Sequence, residues 1–311
     1  MPEKSIRVQA TATVANVACG FDCIGYAISE PSDIVTINRK NKPGLEINIS
    51  GPKSESIPTN PENNTAGKAI LSYLHTIKKD QGCIIKIKKG IPPGSGIGSS
   101  AASAAAAVFG INKLMGSPLQ LGDLLVHGIS GEAVASGGFH ADNIAPALFG
   151  GIILIRSYDP LDILNLPVPK NLYSTSVLPD FTVNTKDARR MLPKRVPLKS
   201  AIEQAGNLAG FTVGLYNADF DLLGRSMIDR FAEPVRSKLI PAYHIVQQAA
   251  MDNGAIGCGI SGSGPALFSL CDSEDKSKKV GIAMVEAFRR NGLDSIAYSS
   301  PIHNNPPEIL D

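Results

Sequence analysis

The chain has 311 residues, 43% of them apolar and 19% charged, with a net charge of +2, no Trp and 5% aromatic residues. Its length exceeds what one hydrophobic core serves and predicts two domains, at 1–160 and 161–311. The balanced charge and scarce aromatics argue against nucleic acid as a partner, and the absence of any apolar stretch of roughly 20 residues argues against a membrane span.

In chain order, the opening residues lead directly into the strand-like Ile6-Arg7-Val8, so no secretory leader is expected. Strands are predicted over 6–13, 33–38 and 45–50 from their alternation and β-branched content, and 52–61 reads as a loop. A helix over 65–79 turns Ala66, Ala69, Ile70 and Tyr73 toward a core, and 83–88 alternates apolar residues with Lys as a half-exposed strand. Helices over 99–109 and 119–131 and a strand over 152–156 complete the first half, and the proline-bearing stretch 158–170 is the expected junction. The second half reads as a strand over 173–178, helices over 185–192, 200–216, 219–228 and 241–253, a glycine-rich turn over 254–264, a strand over 266–271 and a helix over 275–291. Interleaving without a repeat period predicts an α+β fold, with largely antiparallel sheets covered by helices. The cysteines at 19, 23, 83, 258 and 271 are odd in number and form no C-x-x-C pair, which predicts reduced thiols in a cytoplasmic protein.

The most informative stretch is Ile91-Pro92-Pro93-Gly94-Ser95-Gly96-Ile97-Gly98-Ser99-Ser100-Ala101. Glycines at alternate positions let backbone amides turn inward, and two serines follow where a helix begins. A helix N-terminus attracts anions through its unpaired N–H groups and dipole, so the loop is a candidate seat for a polyphosphate such as ATP. The Ala101–Ala107 run (residues 101–107) predicts a helix buried between layers, with its start aimed at the ligand. The stretch is neither a G-x-x-x-x-G-K-[ST] loop nor a G-x-G-x-x-G loop, so no loop lysine is expected at the β/γ-phosphates.

Pro92, Gly96, Ile97, Gly98, Ser99, Ser100 and Ala101 match the central Pro-x-x-x-Gly-(Leu/Ile)-Gly-Ser-Ser-Ala motif, and the chain thereby resembles the GHMP small-molecule kinases. Their fold, which the resemblance implies here, is a two-domain α+β one: an N-terminal domain like domain 2 of ribosomal protein S5 and a ferredoxin-like C-terminal domain. His140-Ala141-Asp142-Asn143, continuing to Gly151, and Gly257-Cys258-Gly259-Ile260-Ser261-Gly262-Ser263-Gly264 narrow the resemblance to the homoserine kinases of that family. The stretch from Ala12 to Asp22 looks like their first motif, departing at Val14 and at Ala18-Cys19, where those kinases carry a Ser and a Gly-Pro.

The resemblance implies ATP-dependent phosphorylation of the hydroxyl of L-homoserine, with Mg²⁺ and with the nucleotide on residues 92–101. Pro93, Gly94 and Ser95 fall within that stretch, and Asn64 is a candidate for the adenine pocket. Mg²⁺ ligands match Ser100 and Glu132; read on composition alone, Glu132 is also an ordinary solvated helix-end glutamate. An amino-acid substrate asks for a carboxylate at its ammonium, which Asp22 and Asp142 supply, and arginine at its carboxylate, which matches Arg189 and Arg236. Arg190 rivals Arg189. His140 and Asn16 are further substrate contacts, Asn143 orients the hydroxyl, Thr185 stands near the reacting phosphate, and no general base is named. A homodimer is the expected assembly. Two alternatives stay open: a kinase of the same family acting on an isoprenoid alcohol or sugar, and a nucleotide-binding regulator without catalysis.

Overall fold

A computed structural model describes residues 4–311, apart from the side chains of Thr185 and Lys186. The chain starts with β1 (Ser5–Ala15), β2 (Ile24–Lys40) and β3 (Leu45–Ser50), then α1 (Thr65–Thr76) and β4 (Gly82–Lys88). The helices α2 (Ser99–Leu114), α3 (Leu121–Ser136) and α4 (Ile144–Phe149) follow, then the hairpin β5 (Ile152–Tyr158) and β6 (Leu161–Leu166). Beyond them come β7 (Tyr173–Pro179), α5 (Thr185–Arg190), α6 (Leu198–Asn217), α7 (Phe220–Ser226), α8 (Glu233–Arg236) and α9 (Tyr243–Asp252). The chain closes with β8 (Gly257–Ile260), β9 (Leu267–Cys271), α10 (Glu274–Arg290), β10 (Ser295–Pro301) and β11 (Glu308–Leu310).

Two sheets organise these elements, as the α+β reading expects. The larger runs β11-β1-β2-β4-β3, with β5 added to β2 and β6 to β5. Its pairs are antiparallel except β3 with β4. The smaller sheet, β10-β7-β9-β8, is antiparallel throughout, and Tyr243, Val246, Val280, Met284 and Phe288 of α9 and α10 build a core against it. The segment after Pro160 forms β6 and completes a hairpin on β5, while β11 returns from the far end of the chain to pair with β1. Pairing to a strand distant in sequence leaves no local signature, which is why β11 was not anticipated.

α2 is the pivot of the first half. Nearly all of it is buried, including every alanine from Ala101 to Ala107. A helix apolar all round is a core helix, and methyl side chains let it lie close against the sheet. A Cβ added at Gly110 would stand 3.1 Å from both Val8 and Ile37, so this helix and the β1–β2 ladder approach as near as backbones comfortably allow. The two halves meet through Tyr26, whose hydroxyl is 2.8 Å from Ser174 Oγ and whose ring packs edge-on to Phe268 at 6.1 Å. No helix among the described residues is long and apolar enough to cross a membrane.

Candidate active site

The loop before α2 is shaped by backbone that only glycine adopts easily. Gly94, Gly96 and Gly98 have φ of 70°, 85° and 69°. A Cβ on Gly98 would lie 2.0 Å from Thr13 Oγ1, and one on Gly96 would lie 2.7 Å from the carbonyl oxygen of Gly264. The glycine-rich stretch from Gly257 to Gly264 therefore packs directly on the loop before α2. Ser261 Oγ donates to the Gly96 carbonyl at 2.7 Å, and the Ala266 amide donates to the Ser95 carbonyl at 3.2 Å. No side chain caps α2 at Gly98, so its first amides remain available to an anion.

Beneath the loop lies a buried ion pair. Lys89 Nζ donates to Asp33, to the Ser99 carbonyl at 2.8 Å and to Ser103 Oγ at 3.0 Å, while the amides of Gly90 and Ile91 donate to the other oxygen of Asp33. Ser99 Oγ donates to the Ile91 carbonyl, so its hydroxyl closes the loop on itself. Ser100 Oγ instead donates to Glu132 Oε1 at 2.9 Å. Glu132 is 9% exposed, its Oε2 is buried with no partner, and burial pushes its carboxyl up to about 7. A hydroxyl beside a carboxylate with one unengaged oxygen fits a hard divalent cation that takes its other ligands from water and phosphate.

A dipolar cluster stands across the same cleft, which has a volume of about 570 Å³. The turn after β1 carries Asn16, Val17, Ala18 and Asp22 at positive φ. Asn16 fixes that turn: its Oδ1 accepts from the Asp22 amide at 3.0 Å and its Nδ2 donates to the Gly262 carbonyl at 2.9 Å. Arg189 from α5 grips Asp22 through two hydrogen bonds, 3.0 and 2.7 Å. Arg236 from α8 donates to the Gly262 carbonyl at 2.8 Å and keeps a buried Nε without a partner. Both guanidinium groups lie over the Phe21 ring, at 5.6 and 5.5 Å. His140 Nδ1 is 3.9 Å from Asp22 Oδ2, and burial holds its imidazole below the ordinary value against the pull of Asp22. Asp142 is 5% exposed, and burial, reinforced by Asp22 and Glu132, raises its carboxyl to about 7. Tyr158 ties the two acidic loops together, donating to the Asp22 carbonyl at 2.9 Å and accepting from the Ala141 amide at 3.2 Å.

The structure gathers Asn16, Asp22, Pro93–Gly96 (residues 93–96), Gly98, Ser99, Ser100, Glu132, His140, Asp142, Asn143, Arg189 and Arg236 around this one cleft. Pro92, Ile97 and Ala101 do not line it; Ile97 and Ala101 are fully buried in the core and support the loop from behind. Asn64 lines the cleft, but both ends of its amide are engaged, Oδ1 capping α1 at Gly67 and Nδ2 donating to the Pro58 carbonyl. Asn143 Oδ1 accepts from Thr13 Oγ1 at 2.8 Å. Arg190 points outward to Asp187, so of these two neighbours it is Arg189 that lines the cleft. The side chain of Thr185 lies outside the described residues. Sequence reading missed Lys89, Phe21 and the apolar end of the cleft, where Ile49, Ile57, Pro58 and Ile87 lie. Lys89 did carry a signal: it falls on the inward-facing parity of the alternation that exposes Lys86 and Lys88, where an apolar residue would be expected.

Residues 64–151 match the family described as GHMP kinases N terminal domain, and residues 211–290 match GHMP kinases C terminal. A protein of Chlorobium phaeobacteroides named homoserine kinase is 42% identical over 99% of this chain and 100% of its own. One of Methanococcus vannielii with the same name is 44% identical over 87% of this chain and 89% of its own. Among solved structures, that of homoserine kinase from Cytophaga hutchinsonii superposes with a TM-score of 0.96 at 45% identity, covering 100% of this chain and 98% of that one. The L. major mevalonate kinase solved with R-mevalonate has a TM-score of 0.72 at 18% identity over 97% and 98% of the two chains, a likeness of fold alone.

Proposed function

The chain belongs to the GHMP kinase family, and from that premise we propose that it transfers the γ-phosphoryl group of ATP to the hydroxyl of L-homoserine, giving O-phospho-L-homoserine for threonine synthesis. One observation carries this reading. A single cleft joins the uncapped N-terminus of α2 to a receptor made of two carboxylates and two arginines. The first suits a polyphosphate. The second suits a zwitterion, whose ammonium goes to Asp22 and Asp142 and whose carboxylate goes to Arg189 and Arg236. An acceptor without an amino-acid head group would leave Asp142 and Arg236 without a counterpart, since Asp22 and Arg189 already pair with each other.

In this reading the apolar end formed by Ile49, Ile57, Pro58 and Ile87 takes the base, and the loop from Pro93 to Ser100 takes the phosphates. Ser100 and Glu132 hold Mg²⁺, which when bound neutralises charge on the triphosphate. Asn143, steadied by Thr13, orients the attacking hydroxyl, and Arg236 and Asp142 fix the amino-acid end so that the hydroxyl faces the loop. Such transfer rests on positioning and electrostatics more than on covalent chemistry by the protein. The cytoplasm as compartment and a homodimer as assembly belong to the same proposal, the first supported by five free cysteines.

The test is ADP release by the purified chain with Mg²⁺ and ATP, with L-homoserine, mevalonate and a sugar panel as acceptors. Turnover with homoserine alone is expected. Absence of homoserine-dependent turnover, or equal turnover with mevalonate, ends the reading.

A further inference from the structure

Gln204 faces inward from α6, is buried, and does not line the cleft. Its amide nevertheless joins the two walls of the amino-acid receptor. Nε2 donates to the Cys19 carbonyl at 2.7 Å, in the turn that carries Phe21 and Asp22. Oε1 accepts from the Arg230 amide at 2.7 Å, in the segment that leads into α8 and Arg236. The geometry asks for an amide, which donates and accepts on one planar group; a carboxylate only accepts and an ammonium only donates. At the cleft surface the same walls share the Gly262 carbonyl, which both Asn16 and Arg236 use. Gln204 is the tie behind that surface.

From Arg230 the hold reaches Arg236 through Asp229. This buried carboxylate accepts from three successive amides, Phe231 at 2.7 Å, Ala232 at 3.1 Å and Glu233 at 2.9 Å. A carboxylate that gathers successive amides fixes the turn they belong to. The Ala232 carbonyl then accepts from the Arg236 amide at 2.9 Å, so α8 begins where Asp229 sets it. The Phe231 ring meets Phe21 edge-on at 6.5 Å, and Phe21 is the platform under both guanidinium groups. Given the acceptor site proposed above, we propose that Gln204 is a positioning residue for the amino-acid substrate. It holds the turn of Asp22 and the segment of Arg236 at the separation the head group spans, and Asp229 passes that hold to α8. The phosphate loop stands on its own buried pair, Asp33 and Lys89, and lies outside this brace.

Steady-state kinetics of the full chain with Mg²⁺, varying each substrate in turn, tests it. Gln204→Met keeps the side-chain length and removes both hydrogen bonds. Homoserine KM should rise about 10-fold, while ATP KM moves less than about 2-fold and kcat falls less than about 3-fold. Asp229→Asn keeps an acceptor for part of the amide set and should show the same split at about 3-fold; it carries the test if Gln204→Met does not fold. Asn112 is the control, a buried amide that joins Tyr73 to Leu119 away from the cleft. Asn112→Leu should lower the melting temperature and leave both KM values within about 2-fold. A homoserine KM unchanged in both brace variants, or rising in step with ATP KM, overturns the brace and leaves the functional reading standing. So does an equal rise in Asn112→Leu, which would make the effect one of stability. A wild type without homoserine-dependent turnover overturns the functional reading and the brace with it.

Discussion

Arg189 and Asp22 are locked together by two hydrogen bonds of 3.0 and 2.7 Å, although each is assigned to an opposite end of the same substrate. This half of the receptor is thus neutralised from within. A zwitterion entering it exchanges one bidentate pair for two new ones, so much of the electrostatic gain replaces an existing contact. Arg236 differs: its Nε is buried and without a partner, ready for a carboxylate. Arg236→Ala should therefore raise the homoserine KM about 100-fold, in line with loss of a charged hydrogen bond. Arg189→Ala should raise it less, about 10-fold, and ATP KM should move less than about 3-fold in both. Steady-state kinetics with each substrate varied decides it; equal effects on the two KM values remove the arginines from the acceptor site.

Gly98 should tolerate no side chain. At φ 69° an alanine is already strained, and its Cβ would stand 2.0 Å from Thr13 Oγ1. The substitution also pushes against Asn143 Oδ1, 3.1 Å away, so it disturbs the residue that orients the acceptor hydroxyl. Gly98→Ala should lower stability by about 2–3 kcal/mol and kcat by at least about 10-fold. Adding Thr13→Gly should restore part of the stability, read by urea denaturation. An unchanged midpoint for the single variant would contradict the packing.

How much of this was legible in the sequence follows from the range of the forces involved. The glycines and serines from Gly94 to Ser100 announce their site because backbone conformation is a local property. The burial of α2 was readable because an alanine run cannot be amphipathic. The arginines could be named only through resemblance, since nothing local distinguishes Arg189 from Arg190; the fold decides by turning one toward Asp22 and the other toward Asp187. Phe21 as a platform for two guanidinium groups needs α5 and α8 brought over the first turn, a contact between residues about 170 and 215 positions apart in the sequence. β11 escaped notice for the same reason, its partner β1 lying at the other end of the chain, whereas β6 pairs with the adjacent β5 and was hidden by the prolines of the 158–170 stretch.

Lys89 should prove a positioning residue for the phosphate loop. Its ammonium is almost wholly buried and bridges Asp33 to the first turn of α2. Lys89→Met would leave Asp33 as an unpaired buried charge, at a cost of about 3–5 kcal/mol. Lys89→Met with Asp33→Asn removes the stranded charge and should recover much of that stability, yet ATP KM should remain raised because the Ser99 carbonyl loses its hold on the ammonium. Thermal melts and nucleotide titrations separate the two effects. If the double variant regains both stability and ATP affinity, the pair is only structural.

Homoserine binding should expel a proton near neutral pH. Burial, with Asp22 and Glu132 nearby, raises the Asp142 carboxyl from 3.8 to about 7. Between those values the native chain holds a proton that the unfolded chain has released. The corresponding stability is present at the acid end and lost as pH rises from about 3.8 to about 7. An ammonium placed beside Asp142 favours its ionised form and reverses the shift. At pH 7, near the raised value, binding of homoserine without nucleotide should release a fraction of a proton. Calorimetric titration in phosphate and in Tris, whose ionisation heats differ, reads that number from the difference in binding enthalpy. Asp142→Asn should erase the difference and flatten the rise in melting temperature toward acid pH. Identical enthalpies in the two buffers for the wild-type chain would mean that the ammonium does not reach Asp142, and would leave Asp22 alone to receive it.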